Sequence, residues 1–178
     1  MPTPSHPVVI ARVVDGPLTP DVEHAALAGE GWNPARDAPA APGVVGAALR
    51  FEGIVRRGEA SEAHGGRERD LLALDYQTYD PMAERELLSL GRAVVAEHGL
   101  LSLVVLHSRG RVAVGEVSFV LIVESPHRAG AIAAMAAFID RLKRDVPIWK
   151  RPVWMEGAGG LGEEADVPAD HRPARGAT

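Results

Sequence analysis

Two lysines bracket the stretch DRLKRDVPIWKR, residues 140–151, and raise the question of whether their charges are aimed at a ligand. Lys143 precedes Pro147, which ends a helical pattern, and Lys150 follows Trp149. Because Pro147 turns the chain and burial of Trp149 would anchor the exit segment, Lys150 is expected to be held near the helix end. Two cations held close together predict an anion-binding pocket.

The helix before Pro147 places cations on its apolar face. With Ile139 at zero and about 100° per residue, the residues within roughly 60° are Ile132, Met135, Ala136, Leu142 and Val146. Lys143 projects at roughly 40° and Arg128 also falls on this stripe, so the amine of Lys143 is expected to be partly desolvated. A second interpretation stays open, because a lysine in the last turn favours the helix dipole and its stem can cover apolar surface.

Two further candidates stand at predicted strand ends, where binding and catalytic residues often lie. Arg56 ends a strand beside a polar segment, and His107 ends another strand in the sequence LHSRG. Each also has a purely structural explanation, as a loop-flanking charge and as a satisfied edge histidine. The glycine spacing contains no phosphate-loop or dinucleotide fingerprint, and no spacing of histidines and carboxylates predicts a metal site.

Composition narrows the possible functions. The 178 residues are 46% hydrophobic with a net charge of -5, which predicts a packed globule and argues against broad nucleic-acid binding. The absence of cysteine excludes a disulfide scaffold and any mechanism that uses a thiol of this chain. The first residues do not form a secretory signal pattern, and no apolar run is long enough to span a membrane, so a cytoplasmic protein is expected.

The chain is expected to form one catalytic domain over residues 1–156, followed by a disordered tail over 157–178 that contains almost no large apolar residue. Residues 31–43 and 57–70 are expected to be loops, because they are rich in Pro, Gly and charged residues.

Alternation and helical periodicity predict the order β-α-β-β-α-β-β-α, an α+β fold with a mainly antiparallel sheet and its helices on one side. Strands are predicted at 7–14, 44–57, 70–79, 100–108 and 115–125, and the last is apolar on both faces, so it is expected to be central and covered. The strands at 44–57 and 70–79 are expected to pair antiparallel. Each of three helices is expected to follow a capping residue and a proline, with Thr19, Asp80 and Ser125 as the caps, and Gly99 is expected to end the second helix.

Four motifs in order resemble the large, catalytic subunit family of molybdopterin synthase. They are GAALRFEGIVRR, LDYQTYDPMAERELL, GRVAVGE and ESPHRAGAIAAMAAFIDRLKRDVPIWKR, and they span roughly residues 44–151. The resemblance implies an α/β hammerhead fold, which agrees with the α+β prediction. It also implies a sulfurtransferase of molybdenum cofactor biosynthesis, which converts cyclic pyranopterin monophosphate into the molybdopterin dithiolene.

The resemblance further implies partners. Sulfur arrives as a thiocarboxylate on the C-terminal Gly-Gly of a small ubiquitin-like subunit, and a homodimer of large subunits carries one small subunit at each end, as a heterotetramer. No cofactor and no metal are implied, and the partner carries the sulfur, in keeping with a chain that has no cysteine. Neither a nucleic acid nor a membrane is expected as a partner.

The resemblance assigns roles to the candidates. Lys143 and Lys150 match the two catalytic lysines, and the substrate-binding positions match Arg56, His107, Arg109 and Arg128, whose cations would bind the substrate phosphate. Ser108 stands where the family has an arginine, so Arg109 is shifted by one position and is expected on the other face of its strand. The tail after Pro152 also departs from the family pattern. These departures leave an alternative, a non-catalytic dimer that binds a ubiquitin-like subunit or an anionic ligand.

Overall fold

The computed structural model describes residues 7–29, 43–61 and 65–155. Its elements in chain order are β1 (Val8–Asp15), α1 (Pro20–Leu27), β2 (Ala47–Ile54), β3 (Gly58–Ser61), β4 (Arg67–Thr78), α2 (Met82–His98), β5 (Ser102–Ala113), β6 (Val117–Ser125), α3 (Arg128–Asp145) and β7 (Ile148–Trp154). The predicted tail, and the predicted loop at 31–43 except for Gly43, lie outside the described residues. The single domain over 1–156 stays a prediction.

The described strands form one mainly antiparallel sheet, as predicted. Its order is β2-β6-β5-β4-β3, with β1 added beside β5 and β7 added beside β4. Only the pairing of β1 with β5 is parallel among the described strands. Strand β6 lies between β2 and β5 and is buried along almost its whole length, which confirms what its two-sided apolar pattern predicted.

Strand β5 joins two parts of the sheet. Its first half pairs with β6 as far as His107 and with β1 as far as Arg109. Its last residues, Gly110 to Ala113, pair instead with β4, which in turn pairs with β7. Residues 107–109 therefore lie at the junction between the packed sheet and the smaller group of strands around β4.

Both faces of the sheet carry a core. Leu103, Leu121 and Val123 pack with α2 and α3 on one face, and Val104, Leu106 and Ile122 pack with α1 on the other. The prediction that all helices lie on one side is therefore wrong for α1. Because β5 and β6 are apolar at consecutive positions, both of their faces need a cover, and α1 supplies the second one.

Two strands were not predicted, and one pairing was predicted wrongly. Strand β2 pairs with β6 and not with β4. Strand β4 pairs with β3, which lies inside the predicted loop 57–70, and with β7, which follows the proline stop. Pro152 is compatible with β7 because this strand pairs only with β4 among the described strands, so a missing donor costs little at its outer edge.

The predicted helix ends were right in two cases and wrong in two. Thr19 Oγ1 accepts a hydrogen bond from the Val22 amide at 3.4 Å, and Gly99 ends α2 with φ of 62°. Asp80 does not cap α2, since its carboxylate accepts from Thr78 and pairs with Arg109. Ser125 does not cap α3, which begins at Arg128 after His127.

Candidate functional site

Lys143 lies on the exposed side of α3, contrary to the projection from sequence. The helix buries Ala131, Ala134 and Phe138, and Ile132, near the middle of the predicted stripe, is 58% exposed. Lys143 follows Phe138 by five positions and therefore projects about 140° away from it. The prediction of a partly desolvated amine is wrong for this chain, because small alanines and one large ring face the sheet while the bulkier aliphatic residues lie to the side.

Strand β7 presents Lys150 at the edge of the β4 group. Lys150 stands opposite Tyr76 of β4, and its Nζ contacts Oε1 of Glu59 on β3. The Lys150 side chain is 54% exposed, so it is open to a ligand. Trp149 does not anchor this segment by burial as expected, because it is 42% exposed. The pairing of β7 with β4 holds Lys150 in place instead.

Glu59 brings a second predicted residue to Lys150. The other oxygen of its carboxylate lies 3.8 Å from a guanidinium nitrogen of Arg56, whose side chain is 81% exposed. Arg56 and Lys150 therefore share one carboxylate, and the cluster of these three side chains carries an excess of positive charge. Glu59 was not predicted as a site residue, because it falls inside the predicted loop 57–70. The Gly65-Gly66 pair, both with positive φ, was the available sign of a hairpin that pairs β3 with β4.

Buried His107 and half-buried Tyr76 form a wall beside this cluster, the buried wall. Their ring centroids are 5.2 Å apart, and the Tyr76 hydroxyl and the Ser118 hydroxyl lie 2.9 Å apart in a hydrogen bond. His107 Nδ1 donates to the Ser108 carbonyl at 2.8 Å, and burial lowers the pKa of His107 to about 4. The imidazole is neutral near pH 7, so the expectation that His107 supplies a cation for the substrate phosphate is corrected. Burial also raises the pKa of Tyr76.

Arg109 is held by two carboxylates. Its Nε donates to Asp15 at 2.7 Å, and a terminal nitrogen contacts Asp80. Both contacts raise the pKa of the guanidinium, so it stays charged. Ser108, one residue earlier, is fully buried on the opposite face of β5, as the alternation of strand residues predicts. The structure therefore places Arg109 in an ion network with Asp15 and Asp80.

Arg128 and Lys143 lie at opposite ends of α3. Their positions differ by 15 residues, which at 1.5 Å per residue separates them by about 22 Å along the helix axis. Both are exposed. One chain does not bring these two cations to the same small anion.

The described residues contain neither a metal cluster nor a membrane-spanning helix. No three His, Asp or Glu side chains within them are placed to hold one ion, and none of their helices is long and apolar enough to cross a bilayer. A cavity of about 460 Å³ lies elsewhere, between β1 and the end of α2. Its lining includes Val9, Arg92 and Leu100 and none of the six predicted site residues.

Comparison with protein families identifies the chain. The family model described as MoaE protein matches residues 32–145, which is more than half of the sequence. The chain belongs to the MoaE protein family. The match includes Lys143 and ends before Lys150. The assignment of Lys150 to the site therefore depends on the sequence motif and on its place in β7. The resemblance inferred from the four motifs is confirmed.

Curated relatives of this MoaE chain carry one name. The molybdopterin synthase catalytic subunit of Bacillus subtilis is 34% identical over 54% of this chain and 61% of its own length. That of Nostoc is 34% identical over 64% of this chain and 65% of its own. The chain thus spans somewhat less than two thirds of the length of the curated relatives it matches.

Solved structures share the fold. Molybdopterin synthase from Staphylococcus aureus superposes with a TM-score of 0.62 at 25% identity, over 83% of this chain and 93% of that one. A complex of subunits 1 and 2 of molybdopterin-converting factor from Helicobacter pylori gives 0.55 at 20% identity, over 84% and 91%. The second likeness shows the fold alone, and the first confirms the α+β prediction.

Proposed function

We propose that this MoaE-family chain acts in the cytoplasm as the catalytic subunit of a molybdopterin synthase, an enzyme of molybdenum cofactor biosynthesis. It would transfer sulfur from the C-terminal thiocarboxylate of a small ubiquitin-like subunit to cyclic pyranopterin monophosphate, and two such transfers would form the molybdopterin dithiolene. The observation that carries the proposal is the exposed pair Arg56 and Lys150, which come from the first and the last of the four motifs and are held together at Glu59.

Lys150 is the residue we assign to the reacting end of the carrier tail. Its ammonium is fixed by strand pairing and reachable from solvent, so a thiocarboxylate can approach it as a charge-assisted acceptor. An extended Gly-Gly terminus suits this approach, because the absence of side chains lets its backbone come close to β7. Arg56, exposed beside it, is suited to the substrate phosphate.

Lys143 is assigned a supporting role from the last turn of α3. Its exposure leaves the amine available to a ligand, and a docked tail or pterin would cover it. Arg128, about 22 Å away along the same helix, would reach such a site only from a second copy of the chain. That requirement accords with a homodimer of large subunits inside a heterotetramer.

Reconstitution tests the proposal. The chain, a cognate small subunit carrying a C-terminal thiocarboxylate, and the pterin precursor are mixed, and dithiolene product is measured. Product is expected with the full-length small subunit and none with a small subunit lacking its last two residues. Normal turnover with the truncated partner would contradict the proposed route of sulfur.

One set of contacts favours the alternative, a family-like dimer that binds the tail without turnover. Arg109 is engaged by two carboxylates, His107 is neutral, and Lys150 already has a carboxylate partner. Fewer cations would then be available to the substrate phosphate than the resemblance implies. Tight binding of the small subunit with no product from thiocarboxylated partner would support this second function.

A further inference from the structure

Glu59 occupies the place on Lys150 where an incoming anion would bind. Its carboxylate contacts Nζ of Lys150 with one oxygen and faces Arg56 at 3.8 Å with the other. The Glu59 side chain is 19% exposed, against 54% for Lys150 and 81% for Arg56, so the carboxylate is the most sheltered member of the cluster. An anion that approaches from solvent therefore meets two cations that the Glu59 carboxylate already contacts.

The charge of Glu59 also acts on Tyr76 of the buried wall. The negative charge of Glu59 contributes, after burial, to raising the pKa of Tyr76, which lies opposite Lys150 in the sheet. The Tyr76 ring in turn packs against His107. While Glu59 is bound to the two cations, its charge opposes any second anion there by like-charge repulsion.

We propose that Glu59 is an intramolecular counter-ion, whose carboxylate holds Lys150 and Arg56 together in the free chain and is displaced by the anionic group of the ligand. The proposal rests on the proposed function for the identity of that ligand. The shared chemistry is a small anion, either the C-terminal carboxylate or thiocarboxylate of the carrier tail or the phosphate of the pterin. Displacement exchanges one charge-assisted contact for another, so only an anion that binds the cations more strongly than Glu59 can replace it. The exchange therefore affects the selectivity for strong anions more than the rate of the reaction.

The local structure allows the exchange. Strand β3 has four residues and pairs only with β4 among the described strands, so few hydrogen bonds fix it. Glu59 stands directly opposite Arg69 of β4, where cross-strand side chains lie within reach of one another. The Arg69 guanidinium itself lies over the Trp154 ring at 4.8 Å, so the side of β4 that faces Glu59 carries positive charge.

Anion binding to the full chain at low ionic strength tests the proposal. The probes are inorganic phosphate, a short synthetic peptide ending in Gly-Gly with a free carboxylate, and the same peptide with a C-terminal amide. Glu59→Gln removes the charge and keeps the shape, and we expect it to tighten binding of at least one anionic probe about fivefold, the upper range for a partly exposed ion pair. A gain for phosphate alone assigns the exchange to the substrate, and a gain for the carboxylate peptide over the amide assigns it to the tail.

Glu23→Gln is the matched control. Glu23 is 14% exposed and pairs with Arg50 at 2.7 Å, so its replacement removes a similarly sheltered carboxylate outside the cluster. The control should leave all three affinities unchanged, and Glu59→Asp, which restores the charge, should bring the affinity back toward that of the native chain. Unchanged or weaker binding by folded Glu59→Gln overturns the proposal.

The reconstituted enzyme separates this inference from the proposed function. Glu59→Gln is expected to lower the KM for the displacing ligand about fivefold with a smaller change in kcat, a split that a purely structural role would not produce. If Glu59→Gln binds anions more tightly but no form of the chain makes product, the counter-ion proposal is supported and the proposed function is overturned.

Discussion

Two charge clusters of this chain have opposite balances. At the junction in β5, the single cation Arg109 meets two carboxylates, Asp15 and Asp80. At the edge of β7, the single carboxylate Glu59 meets two cations, Arg56 and Lys150. The first cluster has no positive charge left for a ligand, whereas the second has an excess. Counting opposing charges, and not cations alone, separates a structural arginine from a candidate site.

The cation-rich cluster is expected to show the larger effect on anion binding. Lys150→Ala should weaken binding of inorganic phosphate or of a Gly-Gly peptide carboxylate by about 1.5–3 kcal/mol, the range for a hydrogen bond to a charged group. Titration calorimetry at low salt measures the change. Affinities for both probes equal to those of the native chain would show that the ligand does not bind at the β7 edge.

The buried wall between the two clusters predicts a pH dependence of stability. His107 has its pKa lowered from 6.5 to about 4, so above pH 6.5 it is neutral in both the folded and unfolded chain and contributes no difference. As pH falls below 6.5 the unfolded chain binds the proton first, and stability is lost until the folded pKa is passed. Between pH 7 and pH 5 this costs about 2 kcal/mol.

Urea unfolding at the two pH values measures that cost, with His107→Gln as the comparison. The variant lacks the titrating ring, so its stability should fall by about 2 kcal/mol less than that of the native chain over the same interval. Carboxylates contribute equally to both proteins and cancel in the difference. Identical losses in both would mean that His107 is solvated and protonates freely in the folded chain.

The carboxylate-rich cluster is expected to show the smallest effect. Arg109→Ala should change phosphate affinity little, because its charge is already compensated on the surface of the chain. Its cost in stability should be about 1 kcal/mol or less, as for other exposed ion pairs. A loss of phosphate affinity as large as that of Lys150→Ala would show that Arg109 leaves its carboxylates to take over the role of the displaced family arginine.

Features that depend on neighbouring residues were predictable from the sequence, and contacts between distant residues were not. The Thr19 cap, the Gly99 stop and the apolar run of β6 depend on a few neighbouring residues, and all three were predicted correctly. Asp80 is a residue type that often caps helices, but its carboxylate binds Arg109, which is 29 positions away in the chain. No local pattern contains that partner.

At the candidate site, too, the local pattern was predictable and the distant contact was not. The motif placed Lys150 after a proline stop, but its neighbour Glu59 comes from a strand 91 positions earlier that reads as a loop. Lys143 was assigned to the buried face because the projection gave more weight to isoleucine than to alanine. In the structure Ala131 and Ala134 allow α3 to approach the sheet closely. Met135, Ile139 and Leu142 then pack only partly buried at the edge of this face, and Ile132 and Lys143 are exposed.

The most direct test of the account is product formation by the reconstituted enzyme with Lys150→Ala, Lys143→Ala and Arg144→Ala. Arg144 lies beside Lys143 in the last turn of α3 and pairs with Asp145 at 2.7 Å, so it controls for loss of an exposed cation. We expect Lys150→Ala and Lys143→Ala to abolish dithiolene formation and Arg144→Ala to change it little, with thermal unfolding of all three close to that of the native chain. Equal and mild losses for the three variants would contradict the account, because the lysines would then be ordinary surface charges.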